Sequence, residues 1–201
     1  MLKIYGSVRS RASRTLWMAF ELGIPYEHAD YNPRSPETRT PAYLGVNPNG
    51  SVPAIDDDGF ILWESMAINV YLAKKHASPL APKDAQSEAL TWQWSLWETD
   101  RLDRQVVNYV NHTSGLPEAQ RDKRIAELAW ADIVPALTTL NGVLAIRKWL
   151  VGDVFSVADL NVAGALYRGL FMDLGQWPNV AEWLARCWDR PAAKKVRAMR
   201  E

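Results

Sequence analysis

The stretch NPNGSVPAIDDDGFILWESMAINVYL, Asn47 to Leu72, decides the fold. It reads as a turn, a short strand, a second turn, a returning strand and a helix. Val52-Pro53-Ala54-Ile55 is apolar, and a proline inside it is out of place in a regular strand. One way to keep a strand there is a cis Val52–Pro53 bond, which turns the Val52 amide and carbonyl outward as partners for another backbone. Asp56-Asp57-Asp58-Gly59 reads as the hairpin turn, with glycine at the left-handed position, and Phe60-Ile61-Leu62-Trp63 as the returning strand. Glu64-Ser65 then opens a helix whose apolar positions Met66, Ile68, Val70, Tyr71 and Leu72 suit packing on a sheet. Ser65 at the helix start offers its hydroxyl and nearby amides to an anion, with the positive end of the helix dipole behind them. Glu64 beside it can take an ammonium. A ligand with a carboxylate and an amine on one carbon, plus a peptide backbone to pair with Val52, meets all three features.

Upstream, Leu2-Lys3-Ile4-Tyr5 reads as a strand, Gly6 to Ser13 as a polar loop, and Thr15 to Leu22 as a helix stopped by Gly23. Pro25 to Asp30 reads as a second strand, so the start is a right-handed parallel βαβ unit. Asn32 to Asn47 is loop with a short helix. A βαβ unit followed by ββα is the thioredoxin-like order. Downstream, Ser78-Pro79-Leu80-Ala81-Pro82 is a break, after which strand patterns stop and helical periodicity takes over. The spacing predicts a long helix from Ala85 to about Ser114 and a second from Gln120 to Ala145, with Pro135 as a possible bend. Ser156-Val157-Ala158-Asp159 is a capping box opening a helix to about Leu170. Pro178 to Trp188 is another helix, and Pro191 starts a short last one. The reading is an α/β thioredoxin-like domain over residues 1–78 and an all-α domain over 84–201.

Bulk properties narrow the function. The chain has 201 residues, 23 acidic against 23 basic, and a formal charge of zero. That balance argues against nucleic acid as a partner, which needs a basic excess. One cysteine, Cys187, rules out an internal disulfide framework and a cysteine metal cluster. His28, His76 and His112 have no metal-ligand spacing, so no metal is expected. The start, MLKIYGS, has no apolar core of signal-peptide length and no run approaches a membrane span, so neither a membrane nor an oxidising compartment is expected. The default is a reducing cytoplasm.

The pattern NPxGxVPxL followed by a Glu-Ser-opened helix resembles the glutathione-binding half of the glutathione transferases. The later segment WLVGDVFSVADLNVAGAL resembles the family's capped core helix, whose aspartate is structural, so the resemblance covers essentially the whole chain. It implies glutathione as cosubstrate, its γ-glutamyl carboxylate and amine at Glu64 and Ser65 and its cysteinyl backbone paired with Val52 beside Pro53. It also implies a small hydrophobic electrophile, attacked by the thiolate, and a twofold homodimer engaged in detoxification. The glycyl carboxylate, for which the family often supplies a residue just before the Val-Pro pair, falls here to Ser51 or to an arginine such as Arg39. The alternative is a non-catalytic relative kept as a dimeric binding scaffold, although such relatives often lose the Val-Pro or Glu-Ser pair.

A transferase must hold glutathione as thiolate, the nucleophilic form. Lowering a thiol pKa by about two units takes roughly 2.7 kcal/mol of preference for the anion, which one hydrogen bond to the sulfur near a helix N-terminus can supply. The donor belongs in the loop Gly6-Ser7-Val8-Arg9-Ser10-Arg11-Ala12-Ser13-Arg14. Here the chain departs from the family: the position where many classes carry Ser or Cys is Arg9, and the nearest suitable serine, Ser10, is one residue later. Ser10 is the first candidate, Arg9 the second through its charge, and Tyr5 the third. Asn108, Tyr109 and His112, about a turn apart, are candidates for the electrophile pocket. Asp100 or Asp103 could meet the γ-glutamyl amine of a partner subunit. Trp92 and Trp94 lie about 200° apart on a helix, so they cannot share one face.

Overall fold

The computed structural model describes residues 1–200, and its chain divides into two compact units. The first is Met1–Pro82 joined by the segment from Asp189 onward; the second is Lys83–Trp188.

The first unit is built on a four-stranded sheet in the order β2-β1-β3-β4. Strand β1 (Leu2–Tyr5) pairs parallel with β2 (Tyr26–Ala29), and helix α1 (Ala12–Leu22) connects them. On its other side β1 pairs antiparallel with β3 (Ala54–Asp57), which pairs antiparallel with β4 (Phe60–Trp63). Alternation along β1 sends Leu2 and Ile4 into the core and leaves Lys3 and Tyr5 half-buried on the opposite face. α1 packs against α3 (Ser65–Lys75), with Leu16, Trp17, Met18, Ile68 and Leu72 buried together with Ile4 and Ile55. α1 stops at Gly23, whose φ of 63° and amide bonds to the last carbonyls form a left-handed cap. α2 (Pro41–Leu44) is a single turn in the loop before β3. The C-terminal helix α9 (Pro191–Arg200) lies on α1, burying Ala192, Ala193 and Val196. There Arg190 clamps Glu21 with two bonds of 2.7 Å.

Three boundaries differ from the sequence reading. β3 begins at Ala54 rather than Val52, and the Val52–Pro53 peptide is cis. Asp56 and Asp57 belong to the strand, so the turn shrinks to Asp58-Gly59, both with positive φ (54° and 92°). A two-residue turn of that sense matches the twist of the strands, and Asp56 Oδ1 secures it by accepting from the Gly59 amide at 2.7 Å. Asp57 is taken up by Tyr71 and Lys75 of α3, at 2.7 and 2.5 Å. Finally, α1 starts at Ala12, three residues early; its N-cap is Arg11, which makes no side-chain cap bond, and the Ser10 hydroxyl one residue before accepts from the Ala12 amide at 3.1 Å.

The second unit contains helices and connecting turns and no strand among its described residues. The expected long helix is one continuous helical run interrupted by two π turns. These are α4 (Ala85–Glu98), a π turn over Thr99–Asp103, α5 (Arg104–Val110) and a second π turn over Asn111–Gly115. α6 (Lys123–Leu144) contains Pro135 and packs along α5. α7 (Val157–Ala165) is shorter than expected and tightens into a 3-10 segment from Leu166 to Phe171. α8 (Pro178–Trp188) completes the unit. Asp159 is its central polar group. It is fully buried and accepts from the Ser156 amide and hydroxyl, the Leu150 amide and the Trp183 indole, all within 3.0 Å. Burial raises its carboxyl pKa against the pull of those donors. Asp159 thus ties the 149–153 turn, α7 and α8 together, which is a folding role. Trp94 is buried and edge-on to Trp97, while Trp92, two residues away, is 38% exposed, as the helical geometry requires.

Candidate glutathione and thiolate site

Loop 6–14 and the Val52–Pro53 corner meet at Gly6. Its φ is +129°, and a Cβ there would lie 2.8 Å from both the Val52 and Ala12 side chains. Only glycine permits that approach, so the chain after β1 is pressed onto Val52 before it turns into α1.

Ser51 is held from beneath. Its carbonyl accepts from the Tyr43 hydroxyl at 2.7 Å and from Asn47 Nδ2 at 2.8 Å, and its hydroxyl lies 3.3 Å from the same Asn47 nitrogen. Asn47 is 1% exposed, and its Oδ1 also accepts from the Asn49 amide and side chain at 3.0 and 3.1 Å. One buried side chain thereby shapes the whole NPNGS turn. Burial pushes the Tyr43 hydroxyl up to about 12, so it remains a donor. Tyr43 also stacks on Tyr31 with ring centres 4.8 Å apart, and Tyr5 meets both rings edge-on. Tyr5 is thus packed in an aromatic trio, and burial raises its phenol pKa as well. Arg39 lies over Gly50, donating to the Asn49 carbonyl at 3.1 Å, and places a cation beside Ser51.

At the start of α3, Ser65 is buried and its hydroxyl accepts from Arg14 Nη1 at 3.3 Å. Arg14, only 5% exposed, puts a cation beneath the helix start. Glu64 precedes it with φ 74° and ψ 110°, a conformation that L side chains rarely adopt. Its side chain is exposed and has no hydrogen-bond or ion-pair partner among the described residues.

In the thiol loop, the Ser10 amide and hydroxyl both donate to the Ser7 carbonyl, at 2.9 and 2.6 Å. The hydroxyl proton is therefore committed to Ser7 while the oxygen accepts from the Ala12 amide. Arg9 is exposed; its Nε donates to the Arg200 carbonyl at 3.2 Å. Asn47, Tyr43 and Arg14 were not picked out from the sequence as site residues. Asn47 had a signal, as the Asn of an NPxG turn; a buried arginine on an apolar helix has none.

The electrophile candidates are on the second unit. Tyr109 packs its ring on Trp130 at 4.8 Å, and His112 Nδ1 accepts from the Asp122 amide at 2.9 Å, next to the cap of α6. Asn108 is half-buried on α5. A cavity of about 470 Å³ on this unit is lined by Trp97, Asp100, Gln105, Asp132 and Pro135 among others, and its lining includes none of the three. Asp100 is exposed beside Arg101, whereas Asp103 is buried. Among the described residues no group of three or more His, Cys, Asp or Glu side chains is placed to hold a metal, and no helix is long and apolar enough to cross a membrane.

A thioredoxin-like sheet with a cis-proline corner and a Glu-Ser helix start, followed by an all-helical unit, defines the glutathione transferase fold. Family comparison agrees: the glutathione S-transferase N-terminal domain matches residues 1–74 and the C-terminal domain residues 107–191. Glutathione S-transferase hmp2 of Hypomyces subiculosus is 32% identical, over 92% of this chain and 92% of its own. Glutathione S-transferase GstB of Escherichia coli (strain K12) is 29% identical, over 98% and 97%. The theta class glutathione S-transferase of Xanthomonas axonopodis pv. citri, solved with glutathione bound, matches with a TM-score of 0.91 at 30% identity, over 97% of this chain and 96% of that one. The chain belongs to the glutathione S-transferase family.

Proposed function

We propose that this protein is a glutathione transferase that holds glutathione on its first unit and directs the thiolate at a small hydrophobic electrophile. The observation that carries the reading is the convergence at Gly6, where the thiol loop touches the Val52–Pro53 corner. Ser65 on its buried Arg14 takes the γ-glutamyl carboxylate, and Glu64 takes the amine. Val52 pairs with the cysteinyl backbone, Pro53 fixes that corner, and Ser51 with Arg39 meets the glycyl carboxylate. Glu64 speaks for a ligand rather than a bare scaffold. A non-glycine residue at positive φ costs about 1–3 kcal/mol, and its carboxylate does nothing for the fold.

In the reaction, the glutathione thiol loses its proton to solvent and the thiolate forms a carbon–sulfur bond with the electrophile. The leaving group departs with the electron pair. Ser10 and Arg9 are the two groups proposed to stabilise the sulfur. For Ser10 to donate, its hydroxyl must release the Ser7 carbonyl, whereas Arg9 already carries a charge. Asn108, Tyr109 and His112 are proposed for the electrophile side, with Asn108 the least engaged by its neighbours. The first 78 residues are proposed as the glutathione-binding domain and residues 84–201 as the one that contributes the electrophile pocket. The assembly is proposed to be a homodimer, because Phe60 and Trp63 on β4 and Trp92 and Leu96 on α4 are exposed apolar side chains. A cytoplasmic setting and a role in detoxification complete the reading; neither a metal nor nucleic acid enters it. Retention on immobilised glutathione, then turnover of a chloronitrobenzene substrate, tests it. Failure to bind glutathione overturns it.

A further inference from the structure

Val8 and Arg9 are the middle of the turn closed by Ser7 and Ser10, and within the loop only the Arg9 amide adds a bond, donating to the Ser7 hydroxyl at 3.3 Å. Ser7 is fixed by its amide bond to the Tyr31 carbonyl at 2.8 Å, and Ser10 by its two bonds to Ser7. The Val8 carbonyl instead accepts from Arg200 Nη1 at 2.8 Å, and Arg9 Nε donates back to the Arg200 carbonyl at 3.2 Å. This reciprocal pair joins segments about 190 positions apart in the chain. It brings two guanidinium groups to one small patch. Arg200 is an anchored arm, because α9 is fixed to α1 by its buried alanines and Val196 and by the Arg190–Glu21 clamp. With Nε engaged, the terminal nitrogens of Arg9 have no partner among the described residues.

We infer that Arg200 is a positioning residue for the thiolate: it holds the Val8–Arg9 segment so that the terminal nitrogens of Arg9 face the glutathione sulfur. This rests on the reading of loop 6–14 as the thiol-facing loop. Arg200 touches neither the tripeptide nor the electrophile; it acts through Arg9. Its loss therefore shifts the ionisation of bound glutathione and leaves tripeptide affinity intact, since Ser65, Val52 and Ser51 are held by other residues.

The test titrates the ultraviolet absorbance of the thiolate in the enzyme–glutathione complex and measures kcat/KM against pH for the parent, Arg200→Ala, Arg9→Ala, the double variant and Arg200→Lys. In Arg200→Ala the bound thiol pKa rises by about a half to one unit, so kcat/KM at pH 7 falls about three- to ten-fold and recovers at high pH. The Kd for glutathione stays within about two-fold, because its anchoring contacts are elsewhere. In the Arg9→Ala background the Arg200→Ala effect disappears, because the two residues act in series. Arg200→Lys restores part of the loss. Lys194→Ala, which removes a charge from the same helix beside Asp189, leaves the profile unchanged. The inference is overturned if Arg200→Ala keeps the parent pH profile, if it loses rate equally at all pH values, or if its effect persists without Arg9. A parent that forms no bound thiolate and turns nothing over defeats the functional reading itself, a result distinguishable from these.

Discussion

The two halves of the proposed glutathione site are built differently. The half proposed to take the tripeptide backbone rests on buried side chains: Asn47 under Ser51, Tyr43 against the same carbonyl, and Arg14 under Ser65. The half proposed to face the sulfur is more open, with Ser7, Val8 and Ser10 half-buried and Arg9 exposed and tied to Arg200. Buried hydrogen-bonded groups are costly to remove and hold one geometry, whereas exposed ones can be exchanged with little loss of fold. The contrast suggests that recognition is prebuilt while the activating residue can vary.

The largest expected effect breaks the loop half alone. The group that stabilises the thiolate contributes roughly 2–3 kcal/mol, so its alanine variant loses about 30- to 150-fold in rate at neutral pH. The loss shrinks as pH rises and free glutathione ionises unaided. Arg9→Ala and Ser10→Ala, each with its own pH–rate profile, assign the role. Ser10→Ala also removes the hydroxyl that bonds the Ser7 carbonyl and the Ala12 amide, lowering stability by about 1 kcal/mol whichever residue wins. If both profiles match the parent, the loop has been misassigned and Tyr5→Phe is the next variant.

A prebuilt half should lose stability and binding together. Asn47→Ala leaves the Ser51 hydroxyl and the Asn49 amide without their partner, so denaturant unfolding should show a loss of about 2 kcal/mol. Glutathione affinity falls with it. Unchanged stability would mean that the turn is held by Tyr43 alone. Ser65→Ala is milder: it removes one hydrogen bond to a charged ligand group and weakens glutathione binding by about 1 kcal/mol or more, measured by calorimetry. It leaves kcat unaltered if the two halves are independent. A matching fall in kcat would join them.

The smallest effect is a control on the sheet behind the site. Burial pushes the Asp57 carboxyl up, but the bonds from Lys75 and Tyr71 and the ammonium's charge outweigh it, so the pKa is lowered. A lowered carboxylate pKa stabilises the fold above the unfolded-state value of about 3.9, and that contribution is lost as pH falls through the folded value. Asp57→Asn should therefore lower stability at neutral pH and flatten the acid limb of the unfolding curve. It should leave glutathione binding untouched. An acid limb as steep as the parent's would assign that limb to other carboxylates.

Sequence by itself determined what depends on near neighbours. Pro53 in an apolar run pointed to an unusual peptide, Gly59 to a tight turn, Gly23 to a helix stop, and Ser156 with Asp159 to a capped helix, because each constraint acts within a few residues of backbone. The βαβ–ββα order and the helical second half followed from periodicity alone. Even locally the edges moved: α1 began at Ala12, and the α3 partners of Asp57 hold it in β3, inside the expected turn. Only tertiary structure decided which distant groups meet. Nothing in the spelling of RASRTLWMAF marks Arg14 as the arginine turned inward to Ser65, since burial depends on what packs over α1. Likewise no local pattern could bring Arg200 to Val8 and Arg9, because that meeting requires α9 to return across the chain and dock on α1.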